Sequence, residues 1–485
     1  MHAFLHLSDL HRYPDDYITN LELVNSLVSD LDRLRRDGAV PERLEGAIVS
    51  GDLVRGVPVG AAGYPQVLKA QYTEAIDFLR RLCNEFFDGQ PSKVVIVPGN
   101  HDVDWNVARE SMVEVPGFET DPTIASNLET LVRSPALGYR WSWRERKLYR
   151  IEKPTRYDQR FDSYRTAAAE FYGNNIQGVP FDSSCDFHHH VFLEGRILIT
   201  AFNSCYHNDC FCPSGAIEIN ALEEASTAIR AHHAALNIAV WHHDIEGRPS
   251  RGDYMDTDVV RRLLDRGYQL GFHGHDHKSS VSPLSKVADP EDEIVLIGAG
   301  SLGAGMSERP PGYLRQYNVV NLASDLRTGQ VLVREMEPPG VFRGGRALGI
   351  RVPFTVRPPS PPRFVDVSNS GGADVSAVES IERLIRTRRY PEALDLIARV
   401  RIPDHFGRQL KVWALRESGN WSGLLEAIGA PRSPEEAIEV VNAHLSLGGW
   451  HDAFKAVDAG RASGLLTSSI AADLRRRVEA RRTIG

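Results

Sequence analysis

The stretch Pro98-Gly99-Asn100-His101-Asp102 follows Lys93-Val94-Val95-Ile96-Val97. That preceding run is apolar and β-branched, as expected of a buried strand. Pro98 and Gly99 stop it, so Asn100, His101 and Asp102 fall on a loop at its C-terminal end. Ligands of open α/β sheets bind at that edge. An amide oxygen, an imidazole and a carboxylate in succession are costly to bury. They make sense where the amide meets a metal ion and the imidazole handles a proton.

Other strands end in the same kind of residue. Phe4-Leu5-His6-Leu7 leads into Ser8-Asp9-Leu10-His11, and Ala47-Ile48-Val49 into Ser50-Gly51-Asp52. Between them, Leu21, Val24, Leu27, Val28, Leu31 and Leu34 recur at helical spacing over Tyr17–Arg36, and Gly38 ends that helix. A second helix is predicted over Val67–Phe87. This β-α-β-α-β order is that of a layered α/β domain. Further on, Phe187–Leu193 and Arg196–Phe202 read as a strand pair and Ile219–Ala234 as a helix. Asn237–Trp241 is a strand ending in His242-His243-Asp244. After a helix over Asp256–Arg266, Tyr268–Phe272 is a strand ending in His273-Gly274-His275-Asp276-His277. Ile294–Ile297 and Tyr317–Asn321 close the sheets.

The strand ends together offer Asp9, His11, Asp52, Asn100, His242, His275 and His277, with His101 beside them. All are oxygen or imidazole donors and none is a thiolate, which suits manganese, iron or zinc. In Asp-x-His and His-x-His, alternate residues of an extended segment share a side, so each pair can grip one ion. The set is too large for one ion and sufficient for two. Two cations ~3.5–4 Å apart need a shared carboxylate, and Asp52, alone after its glycine, is the best candidate.

Ser8-Asp9-Leu10-His11, Gly51-Asp52, Gly99-Asn100-His101-Asp102, His242-His243 and Gly274-His275-Asp276-His277 resemble, in order, the five motifs of the calcineurin-like metallophosphoesterases. The resemblance covers roughly residues 1–325. It implies a layered α/β/β/α sandwich, with one metal on Asp9, His11, Asp52 and His277 and the other on Asp52, Asn100, His242 and His275. It implies that His101 meets the phosphate or protonates the leaving oxygen, with Asp102 completing the catalytic motif. Water activated between the two cations is then expected to attack phosphorus in line, without a phospho-enzyme. Arg55 in Gly51-Asp52-Leu53-Val54-Arg55-Gly56 is a candidate substrate contact. That segment is one residue shorter than in the family's protein phosphatases and lacks their aspartate, which argues against that activity. His243-Asp244 also departs from the small phosphodiesterases, which often carry proline there.

Residues 104–190 interrupt the alternation and read as an inserted cap. There Trp141, Trp143, Tyr149 and Tyr157 interleave with Arg144, Arg146, Lys147, Arg150, Lys153, Arg156 and Arg160, before a helix predicted over Tyr157–Tyr172. His6 and His273 are expected to be packed or solvated rather than ligating. The His188-His189-His190 run is expected on the surface because its neighbours alternate faces, and His232-His233 likewise.

Three regions are expected: a catalytic domain over 1–337, a Pro- and Gly-rich linker over 338–373 and an all-helical domain over 374–485. In the last, Tyr390, Trp421 and Trp450 each open a helix, with Ala393, Leu424 and Ala453 three residues on. This resembles a degenerate tetratricopeptide-like array, a module for a protein partner or self-association. A charge of −8 from 56 basic and 64 acidic residues argues against bulk duplex binding. No apolar run reaches membrane-spanning length and no signal peptide is visible. Cys83, Cys185, Cys205, Cys210 and Cys212 fit no zinc spacing and point to a reduced, cytoplasmic setting. The expected activity is hydrolysis of a phosphodiester or phosphomonoester, of nucleotide-like or other kind. A metal-dependent nuclease is the alternative, and a non-catalytic scaffold the third reading.

Overall fold

In the computed structural model of the protein, the described residues are all but 134, 174–185, 246–251, 286–291, 339, 346–350, 358–380, 382–383, 386–388, 401–403, 433, 467 and 483–485. β1 (His2–Leu7) is buried from Ala3 onward, so both its faces need cover. α1 (Asn20–Arg36) supplies part of it. Thr19 and Glu22 form a capping box at its start, and Leu23, Leu27, Leu31 and Leu34 are its buried stripe. β2 (Gly46–Val49), α2 (Tyr64–Phe86) and β3 (Val94–Ile96) follow. The three strands pair in parallel, with Phe4 opposite Gly46 and Ala47 opposite Val94.

Next come α3 (Trp105–Glu110), β4 (Met112–Glu114), α4 (Pro122–Arg133), β5 (Tyr139–Ser142), β6 (Lys147–Ile151), α5 (Pro154–Asp158) and α6 (Asp162–Tyr172). Then follow β7 (Phe187–Phe192), β8 (Ile197–Phe202), α7 (Ile219–His232), β9 (Leu236–Val240), α8 (Thr257–Asp265), β10 (Leu270–His273), β11 (Ser280–Ser285) and β12 (Glu293–Gly298). The unit ends with β13 (Gln316–Leu322), β14 (Thr328–Glu337), β15 (Val341–Gly344) and β16 (Val352–Thr355). One sheet runs β15-β14-β13-β1-β2-β3, with β16 also on β14, and the other β11-β12-β10-β9-β8-β7.

The parity of the second sheet explains the layering. Ile197, Ile199, Ile238, Val240 and Phe272 join Phe4 and Ile48 in the core between the sheets. Phe202, Ala239, Trp241 and Leu296 point the other way and pack with Leu222 of α7 and Val260 and Leu263 of α8. Both faces of this largely parallel sheet are therefore covered, giving helices, two sheets and helices in layers.

The chain forms two compact units, Met1–Pro361 and Pro362–Gly485. The second contains helices Tyr390–Arg399, Asp404–Glu417, Trp421–Ile428, Pro434–Ser446, Trp450–Ala462 and Ser468–Arg482. Its apolar contacts pass from each helix to the next: Ala393 with Leu410 and Ala414, then Leu415 with Leu424 and Ala443, then Ala437 and Val441 with Ala453 and Val457. Among the described residues, no helix is long and apolar enough to cross a membrane.

Four expectations need correction. The cap is smaller than 104–190. Among the described residues, only β4-β6-β5 forms a separate small sheet, whereas α6 buries Tyr164, Ala167, Phe171 and Tyr172 in the main core and β7 is a strand of the second sheet. The helix predicted over 157–172 is broken by a 3-10 turn at Gln159–Phe161. The turn brings the Arg160 guanidinium to the carbonyls of Tyr206 and Asn208. The expected linker is strand as far as Thr355, because β15 and β16 both add to β14; Pro353 is tolerated on such an edge. His188 and His190 are not on the surface but buried, since their face of β7 lies beneath Tyr172 of α6. His6 and His273 are both buried. Cys185 and most of residues 358–388 lie outside the described residues.

Candidate metal centre

The loops after β1, β2, β3, β9 and β10 converge at one edge of the sandwich. The first two are zipped together by Asp9 N–H to Gly51 O, 3.0 Å, and His11 N–H to Asp52 O, 3.0 Å. Gly51 and Gly99 permit this approach. A Cβ on Gly51, whose φ is +94°, would lie 2.4 Å from the His242 ring, and one on Gly99 would lie 2.1 Å from Asp52 Oδ1. Asp9, His11, Asp52, His275 and His277 all have positive φ, between 44° and 75°. Such backbone costs of order 1–3 kcal/mol per residue and gathers at functional sites.

Two groups of donors result. In the first, one ligand atom each from Asp9, His11, Asp52 and His277 all lie within 4.8 Å of one another. His277 Nε2 is 3.2 Å from Asp9 Oδ1 and 3.3 Å from His11 Nε2. In the second, Asn100 Oδ1 lies 3.0 Å from His242 Nε2 and 3.1 Å from His275 Nδ1, and those two nitrogens are 3.3 Å apart. One atom belongs to both groups. Asp52 Oδ2 is 3.6 Å from His11 Nε2 and 3.4 Å from His242 Nε2.

The outer contacts set which nitrogen faces inward. His242 Nδ1 donates to Ser50 O at 2.8 Å and His277 Nδ1 to Glu308 O at 2.9 Å, so each Nε2 faces inward. Asp253 Oδ2 lies 3.8 Å from His275 Nε2. His243 is buried behind the ligand loop, its Nδ1 2.9 Å from Ser204 Oγ and its ring 5.0 Å from that of His275. Burial pushes the Asp9 and Asp52 carboxyls up, but His277 and His242 respectively outweigh it and hold both below the usual carboxylate range. Burial pulls His242 down, but Asp52 outweighs it and raises the imidazole to about 9.

These residues fit divalent cations. Asp9 Oδ1 is buried without a hydrogen bond of good geometry, His277 Nε2 standing 3.2 Å away, and a bound cation would satisfy it. Lone pairs of like-polarity donors crowd together within both groups, which only a proton or a cation between them makes favourable.

The remaining expected residues are placed as follows. His101 is half-buried; its N–H is donated to Asp52 Oδ1 at 2.8 Å and its Nδ1 to Arg55 O at 2.6 Å. Burial draws its imidazole below the ordinary value, against the pull of Asp52. Arg55 stands at the mouth, its Nε 3.0 Å from Glu308 Oε1 and its guanidinium 5.1 Å from the Tyr13 ring centroid. Asp102 differs from its expected catalytic role. It is fully buried, and its Oδ2 accepts Gly99 N–H at 2.9 Å and Leu53 N–H at 3.0 Å. It acts as a positioning residue that fixes the loop after β3 against the loop after β2. Burial and Asp52 push its carboxyl up to about 7.

Sequence reasoning missed Ser50 and Glu308, which act partly through backbone carbonyls that carry no side-chain signal. It also missed the cavity beside the site, about 1010 Å³, into which Arg55, Asn100, His101 and Glu308 open together with Trp105 and Trp143.

A family model described as calcineurin-like phosphoesterase matches residues 2–279. A comparison with curated proteins returned no match. Among solved structures, a candidate 5′-nucleotidase from Staphylococcus aureus, in complex with alpha-ketoglutarate, is 12% identical, with 75% of this chain and 56% of that chain covered and a TM-score of 0.31. The match thus spans little more than half of that relative. Vps29 from Entamoeba histolytica, complexed with zinc, is 11% identical over 72% of this chain and 98% of that one, with a TM-score of 0.27. The calcineurin-like phosphoesterase YfkN from Bacillus subtilis is 12% identical over 73% and 90%, with a TM-score of 0.31. With the family model covering more than half of its 485 residues, the chain belongs to the calcineurin-like phosphoesterase family.

Proposed function

We propose that the protein is a hydrolase that uses two divalent cations to cleave phosphodiester or phosphomonoester bonds. The observation that carries this reading is the single oxygen, Asp52 Oδ2, shared between two donor groups. Asp9, His11, Asp52 and His277 would hold one cation, and Asp52, Asn100, His242 and His275 the other. Manganese is favoured, with iron or zinc as alternatives that the same imidazole and oxygen donors accept. Such cations neutralise phosphoryl charge and lower the pKa of water.

The chain supplies the rest. Ser50 O and Glu308 O orient the ligand imidazoles, and Asp102 fixes the loop that presents Asn100 and His101. His101, held through Nδ1 by Arg55 O, leaves Nε2 to protonate the departing oxygen. The negative charge of a bound phosphoester offsets the burial that lowers its pKa. Arg55 is a phosphate contact that must first turn from Glu308. A nuclease of the same family is the alternative, favoured by the aromatic cavity beside Asn100 and His101. We also read the unit from Pro362 as a repeat-like module for a protein partner or self-association, since Tyr390, Trp421 and Trp450 are each the first residue of a helix. A cytoplasmic setting is part of this reading.

The test is elemental analysis together with hydrolysis of a panel: bis(p-nitrophenyl) phosphate, cyclic nucleotides and single-stranded DNA, with manganese-loaded protein. Two metals per chain and turnover of any of these is the expected result. Metal binding without turnover of any phosphoester would leave a scaffold.

A further inference from the structure

We propose that the cavity beside the metal centre takes the unpaired base of a nucleoside phosphoester, stacked on Trp143. The inference rests on the phosphoesterase reading and names its substrate class. Trp143 is 83% exposed although it lines the cavity. A large aromatic left in water is costly, and the fold uses this one in an edge contact with Trp141, 6.0 Å between ring centroids, that leaves most of its surface open. The small sheet packs instead through Met112 and Tyr149, with Ala108 of α3. Tyr149 stacks on Phe211 at 4.9 Å and 13°, and the Arg109 guanidinium covers Tyr149 at 4.3 Å.

The platform is also held firmly. Arg140 on β5 donates from Nε to Asp209 Oδ2 at 2.6 Å, and Tyr157 donates to the same oxygen at 2.6 Å. Arg140 and Asp209 are both buried, so this tie is shielded from salt. It fixes the β5–β6 hairpin, with Trp143 in its turn, to the loop after β8. The turn is therefore pre-organised rather than a loose edge, which lowers the cost of binding.

Charge and size give the ligand class. Residues 139–156 carry seven basic and two acidic side chains in a chain whose net charge is −8. Arg144, next to Trp143, lines the cavity. Aromatic faces beside cations are the means by which proteins hold unpaired bases and their phosphates. The cavity, about 1010 Å³, is at the top of the roughly 300–1,000 Å³ range of small-ligand sites. It extends from Asn100 and His101 to Trp143, so a phosphate at the first end leaves room for a base at the other. A paired base keeps both faces in its own stack and offers none to Trp143.

The experiment uses the full chain in chelator, so that nothing is cleaved. Fluorescence anisotropy measures binding of a short oligodeoxythymidylate, the same oligomer made abasic, and dTMP. The base-bearing oligomer is expected to bind more tightly than the abasic one. Trp143→Ala should weaken it by about 5- to 150-fold, the loss of one stacked base, and leave the abasic oligomer unchanged. Trp143→Phe should restore most of the loss. The same loss for dTMP assigns the subsite to free nucleotides; a loss confined to the oligomer assigns it to strand ends. Equal binding of base-bearing and abasic oligomers, no binding of either, or indifference to Trp143→Ala overturns the proposal. Hydrolysis of methyl p-nitrophenyl phosphate by metal-loaded protein is measured in parallel. Turnover without base discrimination removes this inference alone, and base discrimination without turnover removes the phosphoesterase reading alone.

Discussion

Replacing Asp52 by asparagine should abolish the stabilisation that both metals give, whereas replacing His277 or Asn100 by alanine should abolish only half. The reason is that Asp52 Oδ2 faces both donor groups, while His277 and Asn100 each serve one. A cation at a hundred times its dissociation constant stabilises the folded state by ~2.7 kcal/mol. Two such sites give ~5 kcal/mol. Unfolding the 361-residue unit that holds them carries an entropy of roughly 0.8 kcal/mol/K. The wild-type chain should therefore melt ~7 °C higher with manganese than with chelator. His277→Ala and Asn100→Ala should each retain ~3–4 °C of that shift, and Asp52→Asn ~1 °C or less. Differential scanning calorimetry with and without metal reads the difference within each variant, so the change in stability of the metal-free form drops out. If Asp52→Asn keeps as much of the shift as His277→Ala, the carboxylate is not shared and the two-site reasoning fails.

His101→Ala should keep both metals by elemental analysis and lose about 10²–10⁴ in kcat. The loss should shrink when the leaving group is p-nitrophenolate, and loss of metal instead would make His101 a ligand. Acid should destabilise the catalytic unit through His190. Burial holds its imidazole down at about 4, against 6.5 when unfolded, so stability present above pH 6.5 is lost as pH falls towards 4. Unfolding free energies from urea titrations should fall over that window by up to roughly 3 kcal/mol for this residue. His190→Phe should flatten the slope, and an unchanged slope would refute the assignment. A chain ending at Pro361 should keep both metals and cleave a chromogenic diester while losing any self-association. A soluble, folded fragment without metal would mean that the helical unit is part of the catalytic fold.

The sequence by itself determined where the candidate donors lie along the chain. A short apolar run followed by Gly and then Asp, Asn or His is a local pattern, and it marked the loops after β1, β2, β3, β9 and β10. The glycines had a local meaning as well, although only the structure gives the reason at Gly99, where a side chain would strike Asp52. Tertiary structure decided what each donor faces. Asp102 follows His101 directly, yet it turns inward to two backbone N–H groups. His188 and His190 alternate as a surface strand would, but α6 covers their side. Glu308 lies far along the chain from Arg55 and His277, and its role is expressed partly through a carbonyl that every residue possesses. Periodicity along a chain reports one element's exposed and buried sides. Which carboxylate oxygen stands between His11 and His242, residues 231 positions apart, depends on how two sheets pack, and packing is a property of pairs of elements that no single stretch encodes.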